Sequence, residues 1–406
     1  MEAKNDNINE DKLRLNKDAK ILLLIASLFT IGIGLSNTFV NVYIWRLKQN
    51  FVLIGIYNLF IHIFTPITFV LSGYLSKNRN GTIALRLGII FHALFFFIIL
   101  ILQKKAANYV IPLGSFLGIA AGFYWLAFQV LTFDLTNDMN RDTFNSYHGM
   151  FGALSGMFAP LTAGFIINTQ KNLTGYYIVF GISLAIFIII IAISTVLKTY
   201  KFEGKFKLGY IIKNSRTSWR SILTSNFFFG IRNGILMFLI NLLIFIVVQN
   251  ELSIGKTTLI GAFISIVSFQ IIEKIMKPDK RKIFLTTGTI MMLLAVTPIL
   301  LKINFINIII FIIINSFFTP FFNVPFHSAS YNIIDKSGHP SERIEYIIFR
   351  EIALNLGRIL GILLFIYIAS GVKEISELKI LLFIAASSQL VIPFLIKKIN
   401  KTVKVL

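Results

Sequence analysis

The residues of this chain with most chemistry to offer are charges set inside long apolar stretches, where a buried charge is expensive and is retained for a purpose. The stretch FREIALNLGR holds Arg350, Glu351, Asn355 and Arg358. At the helical angle per residue, Glu351, Asn355 and Arg358 fall within about 60° of one another. They make a polar stripe two turns long, with Arg350 roughly a quarter turn away. Arg232 lies about ten residues into another apolar stretch, beside Asn226 and Asn233 and one face from Asn241. Such guanidinium groups can hold an anion, and a carboxylate on the same stripe can exchange a proton as that anion competes for the arginine. Glu351 is the expected proton-coupling residue, because Asp134, Asp142, Glu273, Asp335, Glu342 and Glu345 fall at segment ends where water should reach them. The plainer role for Glu351 is to neutralise an arginine of a neighbouring helix.

A second polar stretch, NSFFTPFFNVPFHSASYN, carries Asn315, Pro320, Asn323, Pro325 and His327. Two prolines five residues apart remove ladder hydrogen bonds, so a broken helix beside a cavity is expected, with a kinked packing helix as the alternative. Its counterpart earlier in the chain supplies Tyr124, Trp125 and Gln129, and the first apolar stretch supplies Asn37 and Asn41. Asn37, Asn41, Tyr124, Gln129, Arg232, Asn241, Asn323, His327, Asn355 and Arg358 are the candidate substrate-binding residues. His62 and His92 stand alone on apolar stretches and read as satisfied structural groups.

These residues need elements that cross a bilayer. Of the 406 residues, 56% are hydrophobic and 14% charged, more apolar surface than a water-soluble core can hide. The net charge of +21 would suggest nucleic acid in a soluble protein, but the basic residues lie in short loops and tails, so no nucleic-acid partner is expected. With no cysteine, disulfides, thiolate metal sites and cysteine nucleophiles are excluded. No glycine-rich phosphate cradle, metal-ligand cluster or Ser/His/Asp arrangement emerges; neither an enzyme, a cofactor nor a metal is expected. The polar first 18 residues do not read as a removable signal peptide.

Apolar runs of roughly 20 residues, enough for about 30 Å of hydrocarbon, recur at 20–44, 51–77, 82–103, 109–135, 144–168, 174–197, 221–249, 253–276, 282–302, 304–334, 344–371 and 376–396. With both termini inside, 27 Lys and Arg fall on the inner side and 9 on the outer, the other three being Arg232, Arg350 and Arg358. Positive residues are retained inside, so both termini are expected in the cytoplasm and the protein in the cell membrane.

An offset of 200 residues aligns the two halves of the chain through Gly34/Gly234, Asn41/Asn241, Gly55/Gly255, Lys77/Lys277 and Gly88/Gly288. The expected fold is an all-α membrane protein with 12 transmembrane helices in two pseudo-symmetric six-helix halves. The divisions are a tail 1–19, a half 20–197, a basic connector 198–220, a half 221–396 and a tail 397–406.

Two six-helix repeats joined by a basic connector resemble the major facilitator superfamily, and the resemblance covers the whole chain. That family's loop after helix two reads G-x-L-x-D-R-x-G-R-K. Here Gly73 and Leu75 are kept and followed by Lys77, Asn78, Arg79, Asn80 and Gly81, so the acid is missing and the associated charge relay is not expected. The exporter-type motif of helix five, G-x-x-x-G-P-x-x-G-G, is matched by Ser155, Ala159, Pro160, Ala163 and Gly164; a packing face of small residues, aided by Gly152 and Gly156, is the alternative.

The resemblance implies a monomeric secondary transporter in the lipid bilayer, working by alternating access around a cavity lined by helices one, four, seven, ten and eleven. Proton-coupled export of a small-molecule substrate is expected. The embedded arginines and 41 phenylalanines point to an amphiphilic or aromatic solute, an anion where the arginines bind it. A lipid or lipid-linked-sugar flippase on the same fold is the second reading, and a non-transporting receptor or assembly partner the third.

Overall fold

The computed structural model describes residues 15–137, 140–198, 206–209, 217–277, 280–335, 342–372 and 374–402. Most of the expected connector, Lys205 included, and the outer parts of both tails lie outside the described residues. Among the described residues twelve helices are long and apolar enough to span a bilayer. They are α1 (Lys17–Lys48), α2 (Phe51–Asn78), α3 (Gly81–Asn108), α4 (Val110–Leu135), α5 (Arg141–Thr169) and α6 (Thr174–Val196), then α7 (Thr217–Val248), α8 (Glu251–Ile275), α9 (Arg281–Leu301), α10 (Phe305–Asp335), α11 (Arg343–Gly371) and α12 (Ile375–Lys397). The face of the bundle where α1 begins is called proximal below, and the opposite face distal.

Local chemistry sets the helix ends. Gln49 and Gln249 each close a helix in the left-handed region, with φ of 46° and 59°. Asn50 and Asn250 then cap the next helix by accepting the Val52 and Leu252 N–H groups, both at 2.8 Å. The same two-residue connection thus opens α2 and α8, 200 residues apart. Asn16 caps α1 by accepting the Ala19 N–H at 2.7 Å and ties it to α4 through a 3.2 Å hydrogen bond donated to the Leu135 carbonyl.

The halves pack alike. In the first, α1 meets α5 and α6, α2 meets α4, and α3 meets α4 and α6; in the second, α7 meets α11 and α12, α8 meets α10, and α9 meets α10 and α12. The repeated glycines explain how. A Cβ on Gly88 would collide with the Tyr124 backbone of α4, and one on Gly288 with the Phe321–Phe322 backbone of α10. Gly34 faces Ala159 of α5, and Gly234 faces the Arg358 backbone of α11. Gly55 and Gly255 make the contacts between halves, the first against Ile366 of α11 and the second against the Pro160–Leu161 backbone of α5. Those two seams, α2 with α11 and α5 with α8, are the main joints between the halves.

One expectation is corrected. The tenth span is not broken: α10 runs continuously through Pro320 and Pro325. Pro320 cannot donate to the Ser316 carbonyl, but the Ser265 hydroxyl of α8 does so at 3.1 Å, and the Ser268 hydroxyl donates to the Phe317 carbonyl at 2.5 Å. Neighbouring hydroxyls thus replace the missing ladder bond. The interruptions fall instead in α9, at Ala295–Val296 ahead of Pro298, and in α12, at Gln389–Leu390 ahead of Pro393.

Candidate functional site

A cavity of about 390 Å³ lies between the halves, walled by α1, α2, α3, α4, α7 and α11. The chain places Asn37 and Asn41 on it from α1, Gln129 from α4, Asn241 from α7, and Glu351 and Arg358 from α11. A smaller chamber of about 290 Å³ between α7, α8 and α10 adjoins it at Asn241, which lines both.

The polar stripe of α11 forms as its spacing requires. Arg358 Nη1 is 3.6 Å from Glu351 Oε1. Asn355, fully buried behind the pair, donates to Glu351 Oε1 at 3.0 Å, and its own Oδ1 lies 3.4 Å from the Arg358 Nη1 donor. The same Oδ1 is 2.9 Å from His62 Nδ1 of α2, which joins the stripe to the other half. His62 is thus satisfied, yet it also lines the cavity, as do His92 and Asn58. Asn58 donates to Asn41 Oδ1 at 2.8 Å, leaving the Asn41 amide hydrogens for the cavity. His62 and Asn58 escaped the sequence reading because a lone polar residue on an apolar helix carries no sign of which neighbour it meets. The aromatic wall is Phe29, Phe69, Trp125 and Phe238. Tyr124 stands behind it, stacked on Phe29 with ring centroids 3.4 Å apart.

Besides Tyr124 and Asn355, which stand behind the wall, three more candidates lie off it. Arg232 is buried against α10, where its Nη2 donates to Asn315 Oδ1 at 2.5 Å. Asn323 is half-buried on α10, and His327 is exposed there beside Phe326. Arg350 lies over the Tyr331 ring, 5.5 Å from its centroid. Of the three embedded arginines, only Arg358 reaches the cavity, and it faces a carboxylate.

Two ion pairs join the halves above and below the cavity, the proximal one buried on both sides and the distal one between a buried carboxylate and an exposed arginine. On the proximal side, Lys77 Nζ of α2 donates to both oxygens of Glu345 of α11, at 2.6 and 2.8 Å, and the Lys207 backbone N–H adds a third hydrogen bond at 3.0 Å. The Lys77 and Glu345 side chains are 2% and 0% exposed, so Glu345 is not open to water as its place near a helix end suggested. Lys77, standing where the family pattern has its acid, thus supplies an interhelical ion pair of its own. Gly73, one turn earlier, lets Ile348 of α11 close over it. On the distal side, Arg46 Nε donates to Glu251 Oε1 at 2.7 Å, and the Tyr176 hydroxyl donates to the same oxygen at 2.7 Å. Glu251 is 3% exposed and was absent from the list of candidate acids. Both acids sit within a turn of a helix start, and only partners more than 70 residues away bury them.

The helix-five motif works at both joints of α5. The Ser155 and Thr30 hydroxyls are 3.2 Å apart and Ala159 meets Gly34 on α1, while Pro160 and Gly164 lie against the α8 backbone and Ala163 is fully buried. Gly152 and Gly156 take no part, since a Cβ on either would meet nothing within 4 Å.

No model of a protein family matches the chain. The uncharacterized protein YqgE of Bacillus subtilis (strain 168) is 38% identical over 363 residues, spanning 89% of this chain and 84% of that one. An uncharacterized protein in the sodM 3' region of Geobacillus stearothermophilus is 40% identical over 167 residues, 41% of this chain and 78% of that one. Among solved structures, a mutant of the nucleoside transporter NupG superposes with a TM-score of 0.71 at 12% identity, over 94% of this chain and 100% of that one. A bacterial homologue of the iron transporter ferroportin in an inward-facing state gives 0.69 at 14%, over 95% and 99%. An auto-inhibited POT family peptide transporter gives 0.71 at 9%, over 95% and 97%. With its sequence shared with YqgE over most of both chains and its helices arranged as in these transporters, the chain belongs to the YqgE family, built on the twelve-helix fold of the major facilitator superfamily.

Proposed function

We propose that this protein is a secondary active transporter which exports a small amphiphilic or aromatic solute in exchange for protons, by alternating access. The observation that carries the reading is the cavity held between two ion pairs on opposite faces, each with a buried carboxylate and each joining one half to the other. A clamp that can open on one face while the other stays shut is what alternating access needs. The likeness to solved transporters of nucleosides, peptides and iron supports transport, and the cavity of about 390 Å³ favours a small solute over a lipid. Export is proposed from the resemblance of the helix-five residues to the exporter-type motif; their small side chains also pack α5 on α1 and α8.

Glu351 is the proposed proton carrier, since it faces the cavity while Glu251 and Glu345 are locked in the clamps. The charge distribution supports a proximal face in the cytoplasm of a cell membrane, with both tails and the 198–220 connector on that side. The cavity lies within one chain, which supports a monomer. The test uses the full chain in liposomes with an imposed pH gradient and a solute that has been shown to bind. Solute should move only with the gradient, and Glu351→Gln should abolish gradient-driven transport while counterflow exchange continues. Full gradient-driven transport by the Gln variant would remove Glu351 from the coupling role.

A further inference from the structure

The cavity lining has a composition of its own. Its acid and its base, Glu351 and Arg358, lie 3.6 Å apart and both meet Asn355, so each charge is offset by the other although Arg358 Nε has no hydrogen-bond partner. A charged solute would therefore have to displace one member of this pair from the other to gain a counter-charge, leaving a charge uncompensated at the wall. Carboxamides dominate the remaining polar lining. Asn37, Gln129 and Asn241 line the cavity with no hydrogen-bond partner among the described residues, and Asn41 is held by Asn58 with its amide hydrogens free. A carboxamide presents a donor and an acceptor side by side. The partner that satisfies both at once is a planar group carrying an adjacent acceptor and donor. Trp125 supplies the surface for such a ring: it is set edge-on to Phe29 with centroids 5.6 Å apart, and 37% of it is exposed.

Resting on the transporter reading above, we infer that the cavity selects an uncharged, ring-bearing solute with neighbouring hydrogen-bond donors and acceptors, of the chemistry of a cyclic amide or a nucleobase. A site built on unpaired carboxamides discriminates by what it leaves unsatisfied, so an aromatic ring without such an edge is rejected.

The test is equilibrium binding to the full chain in lipid nanodiscs. The probes are neutral heterocycles (uracil, hypoxanthine, adenosine) and charged aromatics of similar size (benzoate, benzamidinium). At least one neutral heterocycle should bind at least tenfold more tightly than either charged ring. Asn37→Leu and Gln129→Met, near-isosteric and without the carboxamide, should each weaken that binding about three- to tenfold. Tighter binding of benzoate or benzamidinium, no binding by any neutral probe, or indifference to both substitutions would overturn the inference. A neutral ring that binds here but is not carried across liposomes would instead refute the transport reading and leave the selectivity standing.

Discussion

Replacing Glu345 by Gln tests the proximal clamp directly. The substitution keeps the side-chain shape and an acceptor for the Lys207 N–H, but takes the Glu345 charge away from the Lys77 ammonium, which is 2% exposed. Removing one partner of a buried pair costs about 3–5 kcal/mol, mostly as the penalty on the charge left behind. Opening the α2–α11 seam on the proximal side lets water reach that ammonium and relieves the penalty. The equilibrium should therefore move toward the proximally open form by about two to three and a half orders of magnitude, at 1.4 kcal/mol per tenfold. Ile348 reports the opening, because it is fully buried where α11 closes over Gly73. The protein has no cysteine of its own, so Ile348→Cys gives a signal without background. Its labelling by a soluble maleimide should accelerate at least 100-fold when Glu345→Gln is added, and adding Lys77→Met as well should reverse much of that gain. Labelling rates within threefold of each other, with and without the Glu345 substitution, would show that the pair does not hold the seam shut.

The distal clamp should respond in the opposite sense, Glu251→Gln slowing proximal labelling of Ile348→Cys as the distal face opens, with Tyr176→Phe a weaker version because one of the hydrogen bonds to the carboxylate is lost. Gly357→Ala should destabilise the fold by about 1–3 kcal/mol or more, since a Cβ there would overlap the Phe227 carbonyl of α7; thermal unfolding in detergent measures it, and Gly152→Ala, in open space, is the neutral control. For orientation, a cysteine at Lys171 should react with a membrane-impermeant thiol reagent on intact cells while one at Lys205 stays protected. Arg358→Ala should lose solute binding in nanodiscs, because Glu351 is left without its counter-charge at the cavity wall.

Membrane-spanning helices are legible from sequence because the requirement is local: enough consecutive apolar residues to cross the hydrocarbon, with polar caps at each end. The twelve spans, their repeat at a 200-residue offset and the polar stripe from Glu351 to Arg358 all follow from residues near one another in the chain. The matched Gln49–Asn50 and Gln249–Asn250 connections were equally available in the sequence, although their role as caps became visible only with the backbone. Contacts across long separations were decided by the tertiary structure alone. Pro320 leaves α10 unbroken because Ser265 and Ser268, more than 40 residues earlier, satisfy the carbonyls beside it. His62 became a cavity residue through Asn355, 293 positions away, and Glu345 became a buried clamp through Lys77, 268 positions away. A helix-end acid reads as solvated until the half that covers it is in place, because burial and charge pairing belong to the packed bundle and not to the segment that carries the residue.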